Sequence, residues 1–204
     1  MPGKKASEEA RREQIVQAAF RVAMREGLEQ LTIRHVAAEA GLSNGLVFFH
    51  FQSKEVLLLT LLDRLLDALF ETWQVPETAS PVGQLLSWLQ SDLQDLSRYE
   101  QGHAELKLFF SYWALASHDS TIAERMSNAL GRARQTLLPI AYAVIKSEPE
   151  RFRHVTPEGL VTVVLAITQG SALQSLLSSQ RVDGEDILSV VRALLLPAAP
   201  GEIA

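Results

Sequence analysis

Two short helical segments lie between residues 32 and 50, and their spacing constrains the fold more than any other feature of the sequence. Thr32 and Ser43 have side chains that favour helix N-caps, and Gly41 can end the first segment in the left-handed conformation. Only Gly41 and Leu42 separate the segments, and Ala37, four residues before the glycine, lets two helices approach closely. The pattern predicts a helix-turn-helix, whose second helix lies in the major groove of DNA.

The second of these helices, from residue 43 to about residue 50, has an inner and an outer face. Val47 and Phe51 lie at i and i+4 and are expected to point inward, and we expect Phe49 to pack in the core as well. Gly45 leaves the backbone open to close approach by base edges. The residues expected to contact bases are Ser43, Asn44, Gly45, Leu46, Phe48 and His50. For Phe48 and His50, a place in the helical core is the alternative interpretation.

Phosphate contacts are expected at the first turns of two helices. Thr32 and Lys54 lie where unpaired backbone N–H groups and the helix dipole already favour an anion, and Arg34 lies close behind Thr32. We therefore predict that Thr32, Arg34 and Lys54 contact the DNA backbone, with an ordinary solvated lysine as the alternative for Lys54. The other basic residues near the amino end (Lys4, Lys5, Arg11 and Arg12) alternate with glutamates, which is typical of a solvated helix face, with contacts to the DNA backbone or minor groove as the alternative.

The remaining chain is a succession of helical patterns with no β alternation. Cap signals and apolar residues at three-and-four spacing predict a first helix at about 7–26 and later helices at about 54–70, 81–98, 102–116, 119–147, 157–180 and 184–196. The fold class is therefore all-α with about nine helices. We expect a three-helix helix-turn-helix domain at 7–53, a larger C-terminal helical bundle at 54–197, and flexible ends at 1–6 and 198–204.

Charge and composition exclude several classes of protein. The chain has a net charge of −5, yet residues 1–55 hold eight basic against seven acidic side chains, so the negative charge lies in the remainder. It has no cysteine, which excludes disulfides and thiolate metal sites and suits the cytoplasm. Two apolar stretches are interrupted by charged or polar residues, so no membrane span is predicted. Without a phosphate-binding glycine loop, a nucleophile elbow or zinc-spaced histidines, we predict no enzyme, catalytic residue, metal or cofactor.

Two further surfaces are predicted in the C-terminal part. Amphipathic aromatic and polar residues are candidates for a ligand pocket between helices, with core packing as the alternative: Trp73, Trp88, Arg98, His103, Phe109, Tyr112, Trp113, Tyr142 and Gln169. Small and large apolar residues mix along residues 160–177, and a second apolar stripe follows at 187–195. The candidate dimer residues are Val161, Val164, Leu165, Thr168, Ala172, Leu176, Ile187, Val190, Val191 and Leu194, unless these helices pack within one chain.

Residues 11–62 resemble the DNA-binding region of the TetR (tetracycline repressor-like) family. The motifs that carry the resemblance are Ala18-Ala19, Gly27, Thr32, Val36-Ala37, Ala40-Gly41-Leu42-Ser43, Gly45, Val47, His50-Phe51, and Ser53-Lys54-Glu55 followed by Leu57. Phe48 stands where the family usually has tyrosine, whose hydroxyl donates to a phosphate, so about 0.5–1.5 kcal/mol per half-site is expected to be lost. Residues 105–145 resemble, less specifically, the subgroup that contains the choline-responsive repressor of the betaine pathway.

The resemblance implies a homodimer that binds double-stranded DNA through its second and third helices and a small-molecule effector through its C-terminal bundle. In that subgroup, Tyr112 and Trp113 would offer aromatic faces to a quaternary ammonium. The function expected is that of a ligand-responsive transcriptional regulator, a repressor on a palindromic operator. The alternative is a helical ligand- or protein-binding module that has lost DNA binding.

Overall fold

The computed structural model of the protein describes residues 7–70, 80–98, 100–177 and 182–196. Within these ranges the side chains of Phe70, of 94–98 and of 100–103 are not described. The ends predicted to be flexible, at 1–6 and 198–204, lie outside the described residues, as does Trp73.

Nine α-helices and no strand make up the part of the chain that the structure describes. They are α1 (Glu8–Glu26), α2 (Ile33–Ala40), α3 (Asn44–Phe51), α4 (Lys54–Phe70), α5 (Pro81–Arg98), α6 (Glu100–Ala116), α7 (Ser120–Ser147), α8 (Pro157–Leu177) and α9 (Gly184–Leu195). The all-α prediction and its helix boundaries are confirmed to within about two residues, except that residues 178–180, predicted to end α8, lie outside the described ranges. Pro139 lies inside α7 and does not end it.

The chain divides into two compact units, and the division does not follow the predicted boundary at residue 53. Unit 1 comprises residues 1–69 and 107–126, and unit 2 comprises residues 70–106 and 127–204. The helix α4 belongs to unit 1 because Leu57, Leu61 and Leu65 are buried there. Cap signals show where a helix begins, but they do not show which unit buries it.

Polar contacts also hold α4 within unit 1. The Tyr112 hydroxyl on α6 donates a hydrogen bond of 2.8 Å to the Leu58 carbonyl, and Arg125 on α7 pairs with Asp63. On its other side, Arg64 pairs with Glu13 of α1 at 2.5 Å. The helix α4 is thus tied to α1 and to the parts of α6 and α7 that belong to unit 1.

Unit 2 is built around α5, which packs against both α8 and α9. Its core contains Trp88 and Leu89 of α5, Leu137 of α7, and Val161 and Leu188 of α8 and α9. At Gly184 an added Cβ would lie 3.2 Å from the Leu93 Cβ, so the glycine lets α9 begin close against α5.

Among the described residues, α8 is the one single helix long and apolar enough to cross a membrane, and α3 with α4 passes the same test only as a pair bent by 70°. In α8, 39% of the apolar window is buried, and Leu160, Val161, Val164 and Leu165 belong to the core of unit 2. This part of α8 therefore packs within the chain.

Candidate nucleic-acid interface

Three hydroxyl caps fix the starts of α2, α3 and α4. The side chains of Thr32, Ser43 and Ser53 each accept a hydrogen bond of 3.2 Å from the backbone N–H three residues later. Gly41 has a φ of 66°, and the next N–H, of Leu42, donates to the Ala37 carbonyl at 2.9 Å, which closes the turn between α2 and α3. The predicted helix-turn-helix geometry is confirmed, including the side-chain caps at the helix starts.

Side chains of α1 bind the C-terminal ends of α2 and α3. The sequence did not indicate this role. Gln14 donates through Nε2 to the Ala40 carbonyl at 2.8 Å, and Arg12 donates through Nη1 to the His50 carbonyl at 3.0 Å. The Arg12 guanidinium also lies 4.4 Å from the centre of the Phe51 ring. Arg12 is exposed, in agreement with its assignment to a solvated face, and it also contacts the C-terminal turn of α3.

The outer face of α3 carries two exposed phenylalanines. Val47 and Phe51 are fully buried, as predicted, whereas the side chains of Phe48 and Phe49 are 59% and 71% exposed. The prediction that Phe49 packs in the core is therefore wrong: it lies on the side of α3 opposite Val47 and Phe51. Its ring meets that of His50 edge to face at 5.3 Å.

The other predicted base-contacting residues surround these rings. Ser43, Asn44 and Gly45 are exposed at the start of α3, and Leu46 and His50 are half-buried beside them. The structure thus brings all six predicted residues and Phe49 onto one short helix whose inner face is already filled. The outward surface is both apolar and polar, which suits contact with base edges in the major groove.

Basic side chains near this helix divide into paired and unpaired ones. Arg21 and Arg25 of α1 both pair with Glu39 of α2, and the hydrogen bonds from Arg21 and Arg25 hold the pKa of the Glu39 carboxyl below its ordinary value. In the described part of the chain, Arg34 is exposed and Lys54 half-exposed, and neither forms an ion pair. Their charges therefore remain available to phosphates.

The candidate ligand residues are divided between the two units and differ in burial. Trp88, Phe109 and Tyr112 are buried, and burial raises the pKa of the Tyr112 hydroxyl, with the Asp63 charge adding to the shift. The buried Tyr112 hydroxyl is bonded to the Leu58 carbonyl. Trp113 and Tyr142 are exposed, Gln169 is half-buried, and the side chains of Arg98 and His103 lie outside the described part.

The candidate dimer residues also divide. Six of them are buried within the chain itself: Val161, Val164, Leu165, Thr168, Ala172 and Val191. Their prediction as partner contacts is corrected, because they form or adjoin the core of unit 2. Leu176 and Ile187 are half-buried, and Val190 and Leu194 are exposed on α9 at i and i+4.

Comparisons with known proteins agree with this geometry. The family model described as "Bacterial regulatory proteins, tetR family" matches residues 15–61, and the model described as "BetI-type transcriptional repressor, C-terminal" matches residues 93–197. The transcriptional regulator PksA of Bacillus subtilis is 27% identical over 92% of this chain and 89% of its own length. The regulator BetI of Stenotrophomonas maltophilia is 27% identical over 59% of this chain, and the match spans only 61% of that relative.

Solved structures share this fold over more than nine tenths of the chain. A transcriptional regulator from Rhodococcus has a TM-score of 0.74 at 25% identity, covering 91% of this chain and 95% of that one. A regulator from Saccharomonospora viridis, solved in complex with choline, has a TM-score of 0.76 at 22% identity, covering 93% and 96%. The named relatives are transcriptional regulators and not enzymes, and the second family model alone spans about half of the sequence. The chain belongs to the TetR family of bacterial transcriptional regulators and carries a BetI-type C-terminal domain.

Proposed function

We propose that the chain binds a palindromic operator as a homodimer in the cytoplasm and represses transcription until a small-molecule effector releases it. The observation that carries the proposal is the outward face of α3, which exposes apolar and polar groups, while the neighbouring helices α2 and α4 carry Arg34 and Lys54 in their first turns, outside any ion pair of the described residues. Such a surface is suited to binding DNA, because the phosphates attract the cations and the major groove presents both methyl groups and hydrogen-bonding base edges.

The phosphate contacts are assigned to groups at the helix starts. The Thr32 hydroxyl accepts the cap bond from His35 N–H, so its own hydrogen can donate to a phosphate. The half-exposed Lys54 begins α4, and the exposed Arg34 lies in the first turn of α2. Base contacts are assigned to Ser43, Asn44, Gly45, Leu46, Phe48 and His50.

Replacing Lys54 with alanine should reduce the salt dependence of operator binding. Each phosphate contact contributes about 0.9 to the slope of log K against log salt, so a dimer losing two contacts should lose about 1.8. The measurement is fluorescence anisotropy of an operator duplex at several salt concentrations. Arg21→Ala is the matched control, since Arg21 already pairs with Glu39 and should leave the slope unchanged. An unaltered slope for Lys54→Ala would remove Lys54 from the contacts.

Dimerisation is proposed through the exposed apolar residues of α8 and α9. These are Val163, Leu173 and Leu177 on α8 and Val190 and Leu194 on α9. They lie outside the core of unit 2. They replace, as the candidate interface, the predicted dimer residues that are buried within the chain. Symmetry supports a dimer, because two recognition helices about 34–36 Å apart match successive turns of the major groove.

The proposed route from effector to DNA runs through α4. This helix begins at the Lys54 phosphate contact and is tied to α6 by the hydrogen bond from Tyr112 to the Leu58 carbonyl. An effector that shifts α6 is therefore expected to displace α4, the helix that positions α3. The BetI-type match supports a small cationic effector, and choline, bound in the Saccharomonospora structure, is the first compound to test.

Adding choline to the operator complex should weaken DNA binding. An allosteric coupling of about 1–3 kcal/mol corresponds to a loss of roughly 5–150-fold in affinity. Operator affinity is measured by anisotropy during a choline titration, with potassium chloride at the same ionic strength as the control. Calorimetry showing that choline binds while the operator affinity stays constant would contradict this route.

A further inference from the structure

We propose that Phe49 is the central base-reading side chain of α3 and that it selects a thymine in each half-site by packing on the 5-methyl group. The proposal rests on the operator binding proposed above and assigns to this residue a part of the specificity. It also explains why α3 leaves this phenylalanine ring 71% exposed.

The position of Phe49 follows from the period of the helix. Val47 and Phe51 are fully buried and mark the inner face of α3. With about 100° of rotation per residue, Phe49 falls on the opposite side, on one line with Gly45 one turn earlier. This line is the outermost ridge of the helix, so whatever α3 contacts meets Gly45 and Phe49 first.

Gly45 provides a second and independent observation on the same ridge. A Cβ added to Gly45 would meet nothing within 4 Å, and its φ is not in the left-handed region. The chain's own structure therefore does not require glycine here, although glycine is less favourable than alanine inside a helix. We therefore attribute the glycine to a partner outside the chain. Without a side chain at Gly45, this partner can approach the backbone of α3 one turn before the Phe49 ring.

The chemistry of the ridge identifies what this partner presents. A phenylalanine ring has no donor or acceptor, so it cannot read a base through hydrogen bonds. The apolar group that the major groove offers is the thymine 5-methyl, and phenylalanine is one of the side chains that contacts it. Arg34 and Lys54, unpaired within the described residues, favour a polyanionic duplex over an apolar protein surface or a second copy of α3.

The test removes only the methyl group. The full chain first selects an operator from random duplexes, and each thymine of that operator is then replaced singly by deoxyuridine, which keeps every hydrogen-bonding group. Each half-site should contain one position at which this replacement lowers wild-type affinity about fourfold, as expected for the loss of one buried methyl group. Replacing the thymine in both half-sites should lower the affinity about fifteenfold.

The variants assign this loss to a side chain. Phe49→Ala should bind the thymine operator more weakly than wild type and should not distinguish thymine from deoxyuridine at the same position. Phe48→Ala removes an exposed phenylalanine next in sequence that is itself assigned a base contact, so it should weaken binding to both duplexes by the same factor and keep the discrimination between thymine and deoxyuridine. Circular dichroism and the thermal midpoint confirm that both variants fold, as their exposure predicts.

The outcomes separate the two proposals. If wild type selects no sequence, the operator binding itself fails, and this inference fails with it. If wild type selects an operator but tolerates deoxyuridine at every position, or if Phe49→Ala keeps the discrimination, only the assignment to Phe49 is overturned. The same holds if Phe49→Ala abolishes self-association in sedimentation equilibrium, because the ridge would then be a protein interface.

Discussion

Replacing Phe51 with alanine should lower the free energy of unfolding by about 3–5 kcal/mol. The ring is fully buried between α3 and the rest of unit 1, and the Arg12 guanidinium covers it at 4.4 Å. Truncation leaves a cavity beneath the recognition helix and also removes the ring that Arg12 contacts. Since whole domains are stable by only about 5–15 kcal/mol, a loss of this size is expected to release α3 and abolish DNA binding. Urea unfolding followed by circular dichroism measures it.

Phe49→Ala is the matched control, because it removes the same side chain from the same helix two residues earlier. Its side chain is 71% exposed, so its free energy of unfolding should change by no more than about 0.5 kcal/mol. Equal losses for the two variants would show that α3 does not bury Phe51 and expose Phe49 as described.

Introducing aspartate at both Val190 and Leu194 should separate the proposed dimer into monomers. These side chains are 59% and 70% exposed and share one face of α9, so the change spares the core of unit 2 while placing two like charges against the partner's equivalents. Sedimentation equilibrium should give a mass falling from about 45 kDa to the chain mass of 22.6 kDa. Because each monomer then holds one half-site alone, operator affinity should fall by about 100-fold or more.

Leu115→Asp is the control for the dimer prediction. Leu115 is an exposed leucine on α6, outside α8 and α9, and its replacement should leave the mass near 45 kDa. A double variant that remains dimeric would place the interface elsewhere, and a wild-type chain that is monomeric at micromolar concentration would contradict the homodimer.

Local signals explain how much of the fold the sequence could predict. Hydroxyl caps at Thr32 and Ser43 and the left-handed Gly41 each act within one turn of their own residue, so the helix-turn-helix is readable from a few neighbouring positions. The same holds for the later helices, whose apolar spacing and caps set their boundaries. The proposed base-contacting residues follow from the same local pattern once α3 is placed.

Long-range packing explains what the sequence could not predict. Phe49 was assigned to the core because it is a large apolar residue. Its spacing from Val47 and Phe51 places it on the opposite face of α3, so the helical period could have predicted its exposure. The pattern of α8 is the same whether its apolar face packs on α5 or on a second copy, and here Val161 and Val164 pack within the chain. Contacts such as that of Arg12 with the His50 carbonyl join positions 38 residues apart, so no local pattern indicates them.

The claim that α3 reads DNA in this chain is tested most directly by comparing two duplexes. One is selected by the full chain from random sequence, and the other is a scrambled duplex of the same composition, with both affinities measured at physiological salt. We predict a selected palindrome with half-sites a whole number of helical turns apart and a preference of about 1,000-fold or more over the scrambled duplex. Equal affinity for both duplexes, or no binding to either, would contradict the claim and favour a helical module that has lost DNA binding.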